Sequence, residues 1–425
     1  MRHNIGWILT FTVLSVCYSV SKQASEEQAR TTDSKEWVTL SAGYPEEKNS
    51  LTLDEWADTV FYVRLQCPGM TDDCQVHYLD SLILTNDNLM LKAFSPEGNL
   101  LYQLPNTSGC MDVLAEESAF YLYNFEDGTI KKYSLDGKEL KKIHLREEMD
   151  TYGRNFVALN DTLFAISMMN VGYNPYELFF VNGEGRMVHR LKNREPFRPQ
   201  NNASVHNSVW HHRLFRSEEG CRYYPSYSDT LYEVRPNTVL RPVLTENKIT
   251  KVPLEHRLEY SGQHVNDYIK ESVAKNWNAV RHFETSRFCI MEYKAGGHNL
   301  SLSNYLIYDK TNGKLHRTNN RLNLALKEAG RLHFGIFNDY DGGLAFAPSS
   351  QSGEYLVMVN ASKQQGGQET HPHTLFQTGR TLGGKNYQVR SDVWSEESHR
   401  QQLTAFFRDF DEKQHSMLMI VKPKK

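Results

Sequence analysis

Short stretches of alternating apolar and polar residues, each ending in turn residues, recur along most of the chain. Five have the form of a hairpin, in which an aromatic strand end, a turn and an apolar return strand follow one another: Phe94–Tyr102 around Gly98, Tyr133–Leu140 around Gly137, Phe180–Val188 around Gly185, Tyr308–Leu315 around Asn312 and Gly313, and a weaker copy, Tyr232–Leu240, around Pro236 and Asn237. Glycine supplies the positive φ angle that a tight hairpin requires. The pattern predicts an antiparallel, all-β protein.

The spacing of these hairpins predicts a repeat. Gly98, Gly137 and Gly185 lie 39 and 48 residues apart, and one four-stranded propeller blade takes about 40–50 residues. We therefore expect an all-β, six-bladed β-propeller with inserted loops and one or two short helices, over residues 45–425. Strands at Thr59–Gln66 and Ser416–Lys422 are expected to share one blade, because that closure protects edges that would otherwise be open.

A few segments depart from the β pattern. Gly262–Ala279 places Val265, Tyr268, Ile269, Val273 and Trp277 at helical spacings, which predicts a helix packed on a rim or side of the propeller. Asn320–Glu328 predicts a second short helix of ambiguous period. Arg194–Asn207 and Ser362–Lys385 are long and polar, and we expect them to be inserted loops.

The first residues have the form of a secretory signal. Arg2 and His3 precede an apolar run from Ile5 to Tyr18, which is too short to span a bilayer but suits a signal peptide. We therefore expect residues 1–18 to be a signal peptide, 19–44 a polar tether that is disordered from Ser19 to about Lys35, and the mature protein to be exported.

The run ends in Leu14, Ser15, Val16 and Cys17. This order is similar to a bacterial lipobox, in which the cysteine is lipidated, although Val16 stands where a small residue is usual. Lipidation of Cys17 would anchor the protein in the periplasm or at the outer membrane. Ordinary cleavage after Ser19 or Ser21 is the alternative.

Several segments together resemble the six-bladed β-propeller proteins of Bacteroidetes, many of which are lipoproteins. The similar segments are Leu51–Gln66, the hairpin around Gly98, Phe283–Phe288, Asn338–Gly343 and Met417–Lys422. The resemblance covers about residues 45 to 425 and implies the propeller fold. It implies no catalytic residues, because the activity of that family is largely uncharacterised.

The net charge and the number of cysteines limit which partners and which cysteine roles we expect. The formal net charge is −3 and the pI is about 6.6, so no excess of basic residues indicates nucleic-acid binding. Cys67 and Cys74 bracket a turn-rich loop that a disulfide could close, adding roughly 2–3 kcal/mol by loop entropy. Buried free thiols are the alternative, and five cysteines besides Cys17 cannot all pair with one another.

Two groups of side chains are candidates for ligand binding. The first group is Asp339 and Asp341, which precede Gly342 and Gly343 and offer oxygen ligands that suit calcium. The sequence around them does not have the pattern of a helix–loop–helix calcium site. The alternative for them is a structured turn with capping Asp side chains. Arg222, Tyr223 and Tyr224 form the second group, with aromatic faces for sugars and a guanidinium for carboxylates, and sheet packing is their alternative.

Other motifs indicate no chemistry. Gly379–Asn386 is similar to a phosphate-binding loop, but Asn386 replaces the Ser or Thr that binds magnesium, so we expect a glycine-rich turn. The paired histidines His211–His212 and His371–His373 lack the helical spacing of a zinc protease. No catalytic residue is predicted, and no metal is assigned.

Two function classes follow. The first is a non-enzymatic module at the cell envelope that binds a glycan, another ligand or an envelope protein through loops on a rigid scaffold. The second is a glycan-active hydrolase or lyase with acids at the propeller channel, of which Asp339 and Asp341 would be the first suspected. Convergent carboxylates in the channel would favour the enzyme, and a channel without them would favour binding.

Overall fold

A computed structural model describes the strands that form the core of the protein. The described residues are 38–40, 51–71, 74–87, 89–105, 109–146, 153–168, 175–194, 213–225, 228, 230–246, 277–295, 303–317, 336, 346–360, 381–382, 385–386, 401, 406 and 414–425.

Three elements precede the first complete blade. They are strand β1 (Val38–Leu40), the one-turn helix α1 (Leu53–Trp56) and strand β2 (Ala57–Leu65). Leu53 and Trp56 of the helix are buried, so the turn anchors the start of β2 in the core.

The following strands form hairpin-connected blades in chain order. Blade 1 contains β3 (Gln75–Leu79), β4 (Leu82–Asn86), β5 (Met90–Phe94) and β6 (Leu100–Pro105); blade 2 contains β7 (Gly109–Leu114), β8 (Ala119–Asn124), β9 (Thr129–Ser134) and β10 (Glu139–His144); blade 3 contains β11 (Gly153–Asn160), β12 (Leu163–Met168), β13 (Tyr176–Asn182) and β14 (Met187–Lys192). A 3₁₀ turn, Ala115–Glu117, lies between β7 and β8.

The second half of the chain continues the pattern. Blade 4 contains β15 (Arg213–Ser217), β16 (Gly220–Tyr224), β17 (Thr230–Val234) and β18 (Leu240–Glu246); blade 5 contains β19 (Trp277–Glu284), β20 (Phe288–Ala295), β21 (Ser303–Asp309) and β22 (Lys314–Arg317); the remaining strands are β23 (Ser350–Ser352), β24 (Tyr355–Asn360), β25 (Thr381–Leu382), β26 (Lys385–Asn386) and β27 (Ser416–Pro423).

Both ends of the propeller domain meet in blade 6, the closure blade, whose strand order is β23, β24, β27 and β2. Strand β2 pairs antiparallel with β27, so that Leu65 lies opposite Ser416 and Val60 opposite Val421. The predicted six-bladed propeller and its closure by the two terminal segments are confirmed.

Strand β27 shows how the blades pack. Its residues are apolar at successive positions because both faces of the closure blade are buried. Met417, Met419 and Val421 pack on the side of Phe288 and Ile290 of blade 5. The intervening Leu418 and Ile420 pack with Val76, Ile83 and Phe94 of blade 1. Similar apolar layers join the other described blades.

The structure confirms the predicted hairpins, whereas the first predicted helix is wrong at the residues that the structure describes. The predicted hairpins form β5–β6, β9–β10, β13–β14, β17–β18 and β21–β22. Trp277–Ala279, the end of the predicted helix, instead begins β19, where Trp277 pairs with Ala295 and Ala279 with Tyr293. Pairing with the neighbouring strand outweighs the local helical periodicity, and residues 262–276 lie outside the described residues.

Three other segments bear on the sequence analysis. Strand β1, within the stretch expected to be a tether, adds a fifth strand to blade 4 by parallel pairing with β18. Within the phosphate-loop-like sequence, β25 and β26 pair antiparallel, with Leu382 opposite Lys385, and its glycines lie outside the described residues. Two predicted segments lie outside the described residues: residues 195–207 of the predicted loop, and residues 320–328, the second predicted helix.

Candidate functional site: the central channel

The first strand of each blade lines the centre of the ring. A cavity of about 170 Å³ lies at this centre. It is lined by residues on or beside strands β3, β7, β11, β15, β19 and β23. The outermost strands β6 and β10 are largely exposed, whereas β4 and β7 are buried throughout. This arrangement makes the channel the deepest point that a ligand could reach from a propeller face.

Asp112 and Arg216 form an ion pair across the channel. Arg216 Nε lies 3.0 Å from Asp112 Oδ1 and Nη2 lies 2.7 Å from Oδ2, which is a bidentate pair. The Ala158 amide also donates to Asp112 Oδ2 at 2.9 Å, and Arg216 donates to the Ala158 carbonyl. The pair therefore joins blades 2, 3 and 4.

The pair also keeps the Arg216 guanidinium charged. Burial by itself lowers the pKa of Arg216, but the charge of Asp112 and its hydrogen bonds outweigh burial and raise that pKa above its ordinary value. Both oxygens of Asp112 accept hydrogen bonds from donors that remain protonated. The carboxylate is thus fully engaged in contacts between blades.

His77 lies beside this pair on β3 and borders the cavity. Burial lowers its pKa to about 4; the charge of Asp112 acts in the opposite direction and that of Arg216 adds to the lowering. The imidazole is therefore neutral at pH 7. A neutral imidazole offers a ligand one donor and one acceptor.

Two further arginines line the cavity. Arg213 begins β15 and Arg281 lies on β19. The Arg281 Nε atom is 3.6 Å from Oε2 of Glu292, which is buried on the neighbouring strand β20. Three arginines and one carboxylate, Asp112, thus line the described part of the channel wall, with Glu292 behind Arg281 as its counter-charge.

Other polar side chains complete the lining and are held by the scaffold. Gln75 Oε1 accepts hydrogen bonds from the Met111 amide at 2.8 Å and from Asn86 Nδ2 at 3.2 Å. His282 packs its ring on Tyr224, with centroids 4.1 Å apart. These contacts hold blades 1, 2, 4 and 5 in a fixed arrangement around the cavity.

A second buried charge network joins blades 4, 5 and 6. Glu284, at the end of β19, accepts hydrogen bonds from Arg222 and from Lys310 Nζ, the latter at 2.9 Å. The Glu284 amide donates to Gln351 Oε1 at 2.9 Å. Burial raises the pKa of Glu284, but Arg222 and Lys310 outweigh it and hold the pKa below its ordinary value. Arg222 is therefore already engaged by a buried carboxylate.

The structure places the predicted aromatic group in the interior. Arg222, Tyr223 and Tyr224 are 4%, 0% and 7% exposed. Tyr223 belongs to the apolar layer between blades 3 and 4, and the Tyr224 hydroxyl donates to the Ser228 carbonyl at 2.6 Å. Their observed contacts are packing contacts, and their role in ligand binding stays a prediction.

The other predicted site residues divide into two groups. Asp339, Asp341 and Cys17 lie outside the described residues. Cys67 and Cys74 are buried free thiols, as are Cys110, Cys221 and Cys289. A disulfide between Cys67 and Cys74 stays a prediction. Within the described ranges, no group of three or more His, Cys, Asp and Glu side chains could hold a metal ion. Calcium binding at Asp339 and Asp341 is untested.

Sequence analysis missed the channel residues His77, Asp112, Arg213, Arg216 and Arg281. Their signal is weak, because each lies in a short strand and none belongs to a recognisable motif. Asp112, for example, lies within Gly109–Leu114, whose other members are apolar or glycine. Recognising it requires knowing that β7 lines the channel and that Arg216 lies opposite.

The family follows from the sequence comparison. Residues 105–379 match the family described as Domain of unknown function (DUF4934). The chain belongs to this family. The resemblance to six-bladed propellers of unknown function from Bacteroidetes is thereby confirmed.

Two solved structures from Bacteroides align with this chain. A protein of Bacteroides fragilis NCTC 9343, described as exported, aligns with a TM-score of 0.56 at 13% identity, over 86% of this chain and 95% of that chain. A member of the DUF4221 family from Bacteroides vulgatus aligns with a TM-score of 0.47 at 7% identity, over 87% and 98%. The B. fragilis protein shares the fold, and no curated protein matches the sequence.

Proposed function

We propose that this DUF4934 protein is an exported envelope protein that binds a small anionic ligand in its propeller channel without changing it chemically. The observation that supports this most is the excess of arginine over carboxylate around a cavity at the centre of the ring. The guanidinium groups of Arg213 and Arg281 suit carboxylate, sulfate or phosphate groups, and the acidic sugars of envelope glycans bear such groups.

The charges in the described part of the channel favour binding over glycan hydrolysis. Most glycosidases use two carboxyl groups, separated by about 5–9.5 Å, of which one must give up a proton. Asp112 is the carboxylate that lines the described channel wall, and two blades supply donors to both of its oxygens. The hydrolase alternative therefore depends on acids elsewhere, with Asp339 and Asp341 the first to test.

Export is part of the proposal. The apolar run Ile5–Tyr18 behind Arg2 and His3 supports it. Among the described residues, no helix is long and apolar enough to cross a membrane. If Cys17 is lipidated, the propeller would be held at the membrane by that anchor.

A ligand screen tests the proposed function. Thermal unfolding of the mature protein would be followed with acetate, citrate, sulfate, phosphate, glucuronate and galacturonate, and with glucose and galactose as neutral controls. We expect at least one anion to raise the melting temperature in a saturable way, while the neutral sugars leave it unchanged. Stabilisation by the neutral sugars alone would contradict an anion site.

The hydrolase alternative has its own assay. Reducing-end release from acidic and neutral glycans would be compared for wild type and for the Asp339→Asn/Asp341→Asn double variant. Turnover that disappears in a still-folded double variant would overturn the binding proposal. Saturable binding without turnover would support it.

A further inference from the structure

The loop between β2 and β3 is where the chain passes from the closure blade to blade 1, and it contains two cysteines. Cys67 and Cys74 are 6% and 2% exposed. Both belong to the apolar cluster that packs blade 6 against blade 1. The loop is thus part of the seam that closes the ring.

Hydrogen bonds join this loop to two strands of the closure blade. The Met70 amide donates to Ser416 Oγ, at the start of β27, at 3.2 Å. Ser350 Oγ on β23 donates to the Cys74 carbonyl at 3.4 Å and accepts from the Val76 amide at 3.1 Å. A covalent link across the loop would therefore also hold its contacts with β23 and β27.

A lysine adjoins one of the two thiols. Lys92 Nζ on β5 lies 3.1 Å from Cys67 Sγ and 3.9 Å from Asp87 Oδ2. Burial by itself lowers the pKa of Lys92, but Cys67 and Asp87 outweigh it and raise that pKa, so the ammonium is retained. An ammonium at this distance provides the counter-charge for a thiolate, which is the nucleophilic form of cysteine.

The second thiol has a different environment. Burial, followed by the charge of Asp87, raises the pKa of Cys74 to about 12. Cys74 therefore stays protonated at neutral pH. Cys67 is the thiol with an ammonium beside it, which suits an attacking cysteine, and Cys74 is then the resolving thiol.

We propose that Cys67 and Cys74 form a redox-controlled disulfide that staples the closure blade to blade 1, with Cys67 as the attacking thiol and Lys92 as its counter-ion. The Cys67 thiolate attacks one sulfur of a small-molecule or protein disulfide and releases one thiolate from that oxidant. Cys74 then attacks the Cys67 sulfur of the mixed disulfide, which breaks the bond to the oxidant and releases its second thiolate. The protons of Cys67 and Cys74 pass through water to the two released thiolates, so two protein thiols are oxidised and one disulfide is reduced.

The asymmetry of the pair also protects the bond once it has formed. Reduction by attack on the more exposed Cys67 sulfur would expel Cys74 as a thiolate, and a thiol of high pKa is a poor leaving group. The staple would therefore form in an oxidising, exported compartment and would resist reduction there. This inference is independent of any ligand in the channel.

The linkage itself can be tested on the mature protein. After treatment with oxidised glutathione, peptide mapping without reductant should show Cys67 joined to Cys74. Reduction should then lower the melting temperature of wild type and of the control Cys110→Ser, but leave the Cys67→Ser/Cys74→Ser variant unchanged. Two thiols that remain alkylatable after oxidation and denaturation would overturn the proposal.

The role of Lys92 needs a kinetic measurement. Disulfide formation with oxidised glutathione should be about tenfold slower in Lys92→Met, since the counter-charge is lost. The control Lys138→Met, which changes an exposed turn lysine, should keep the wild-type rate. Alkylation of Cys67 by iodoacetamide in a Cys74→Ser background gives a second readout of the same effect. Unchanged rates in both assays would remove Lys92 from the proposal.

Discussion

At the residue scale, isolated charges on apolar strands determine the chemistry of the channel. Asp112 is paired with Arg216, which lies 104 residues away along the chain. Arg213 and Arg281 add two more guanidinium groups to the cavity wall, the second of them beside the buried carboxylate of Glu292. Neither the ion pair nor the convergence of these arginines is visible in a local stretch of sequence, because each depends on which strands face the channel.

His77 predicts that the protein loses stability in acid. Its folded-state pKa of about 4 lies below the ordinary histidine value of about 6.5, so the unfolded chain binds the proton more readily. The resulting loss begins as the pH falls below about 6.5 and is complete near pH 4. Between pH 7.5 and pH 5 it amounts to roughly 2 kcal/mol.

Denaturant unfolding at pH 7.5 and pH 5.0 measures this contribution. The variant His77→Asn should lose less stability over that interval than wild type, by about the same 2 kcal/mol. Equal losses in the two proteins would show that His77 does not titrate in this way.

Asp112 predicts a large cost of breaking the channel ion pair. Asp112→Ala should lower the free energy of unfolding by about 3 kcal/mol, because it leaves the partly buried Arg216 charge unpaired. Glu184→Ala is the matched control, since Glu184 and Arg186 are both largely exposed, and it should cost under about 1 kcal/mol. Chemical denaturation of both variants makes the comparison, and similar costs would contradict it.

At the element scale, the hairpin turns hold one blade against the next. Gly98 has φ +90°, and a Cβ there would lie 1.8 Å from the Arg64 carbonyl oxygen on β2. Gly313 has φ +69° with no atom within 4 Å of its added Cβ. Both turns require a left-handed residue, but Gly98 is also a point of close approach between blade 1 and the closure blade.

This difference predicts unequal costs for the same substitution. Gly313→Ala should destabilise the protein by about 1 kcal/mol through backbone strain alone. Gly98→Ala should cost roughly 3 kcal/mol or more, because the backbone of β2 must also move. Unfolding free energies of the two variants test the contact, and equal values would contradict it.

The hairpins also show what local sequence could and could not predict. Glycine-containing turns between alternating strands were sufficient to predict the blades, because turn residues and the alternation of a strand can be recognised in a short stretch of sequence. The weakest hairpin uses Thr238 at φ +64° in the position that glycine takes elsewhere, which sequence alone did not reveal. The expected helix failed at Trp277–Ala279 because pairing with β20 is a non-local contact.

At the scale of the whole molecule, the closure was predictable and the channel was not. Both terminal segments have the form of strands, and pairing them in one blade protects edges that would otherwise be open; β27 takes an inner position in that blade and β2 its edge. The channel depends on side chains from six blades that converge only when the ring has formed. The predicted ligand residues Arg222, Tyr223 and Tyr224 were recognisable as a cluster, but their strand lies within the blade packing.

Membrane attachment predicts a clear result at Cys17. If this cysteine is lipidated, Cys17→Ala should move the protein from the membrane fraction to the soluble fraction of the envelope. Cell fractionation with detection of the propeller measures this, with Cys110→Ser as a control that should stay with the membrane. Identical fractionation of Cys17→Ala and wild type, or a mature N-terminus beyond Cys17, would contradict lipidation.

The most direct test of the anion-binding channel is an equilibrium titration of the most stabilising anion from the ligand screen. Wild type, Arg213→Gln and the surface control Arg235→Gln would be compared by calorimetry, after thermal unfolding has shown that all three are folded. Loss of a charged hydrogen-bond donor in the channel should weaken binding about tenfold or more in Arg213→Gln, and Arg235→Gln should bind like wild type. Wild-type affinity in folded Arg213→Gln would contradict the account.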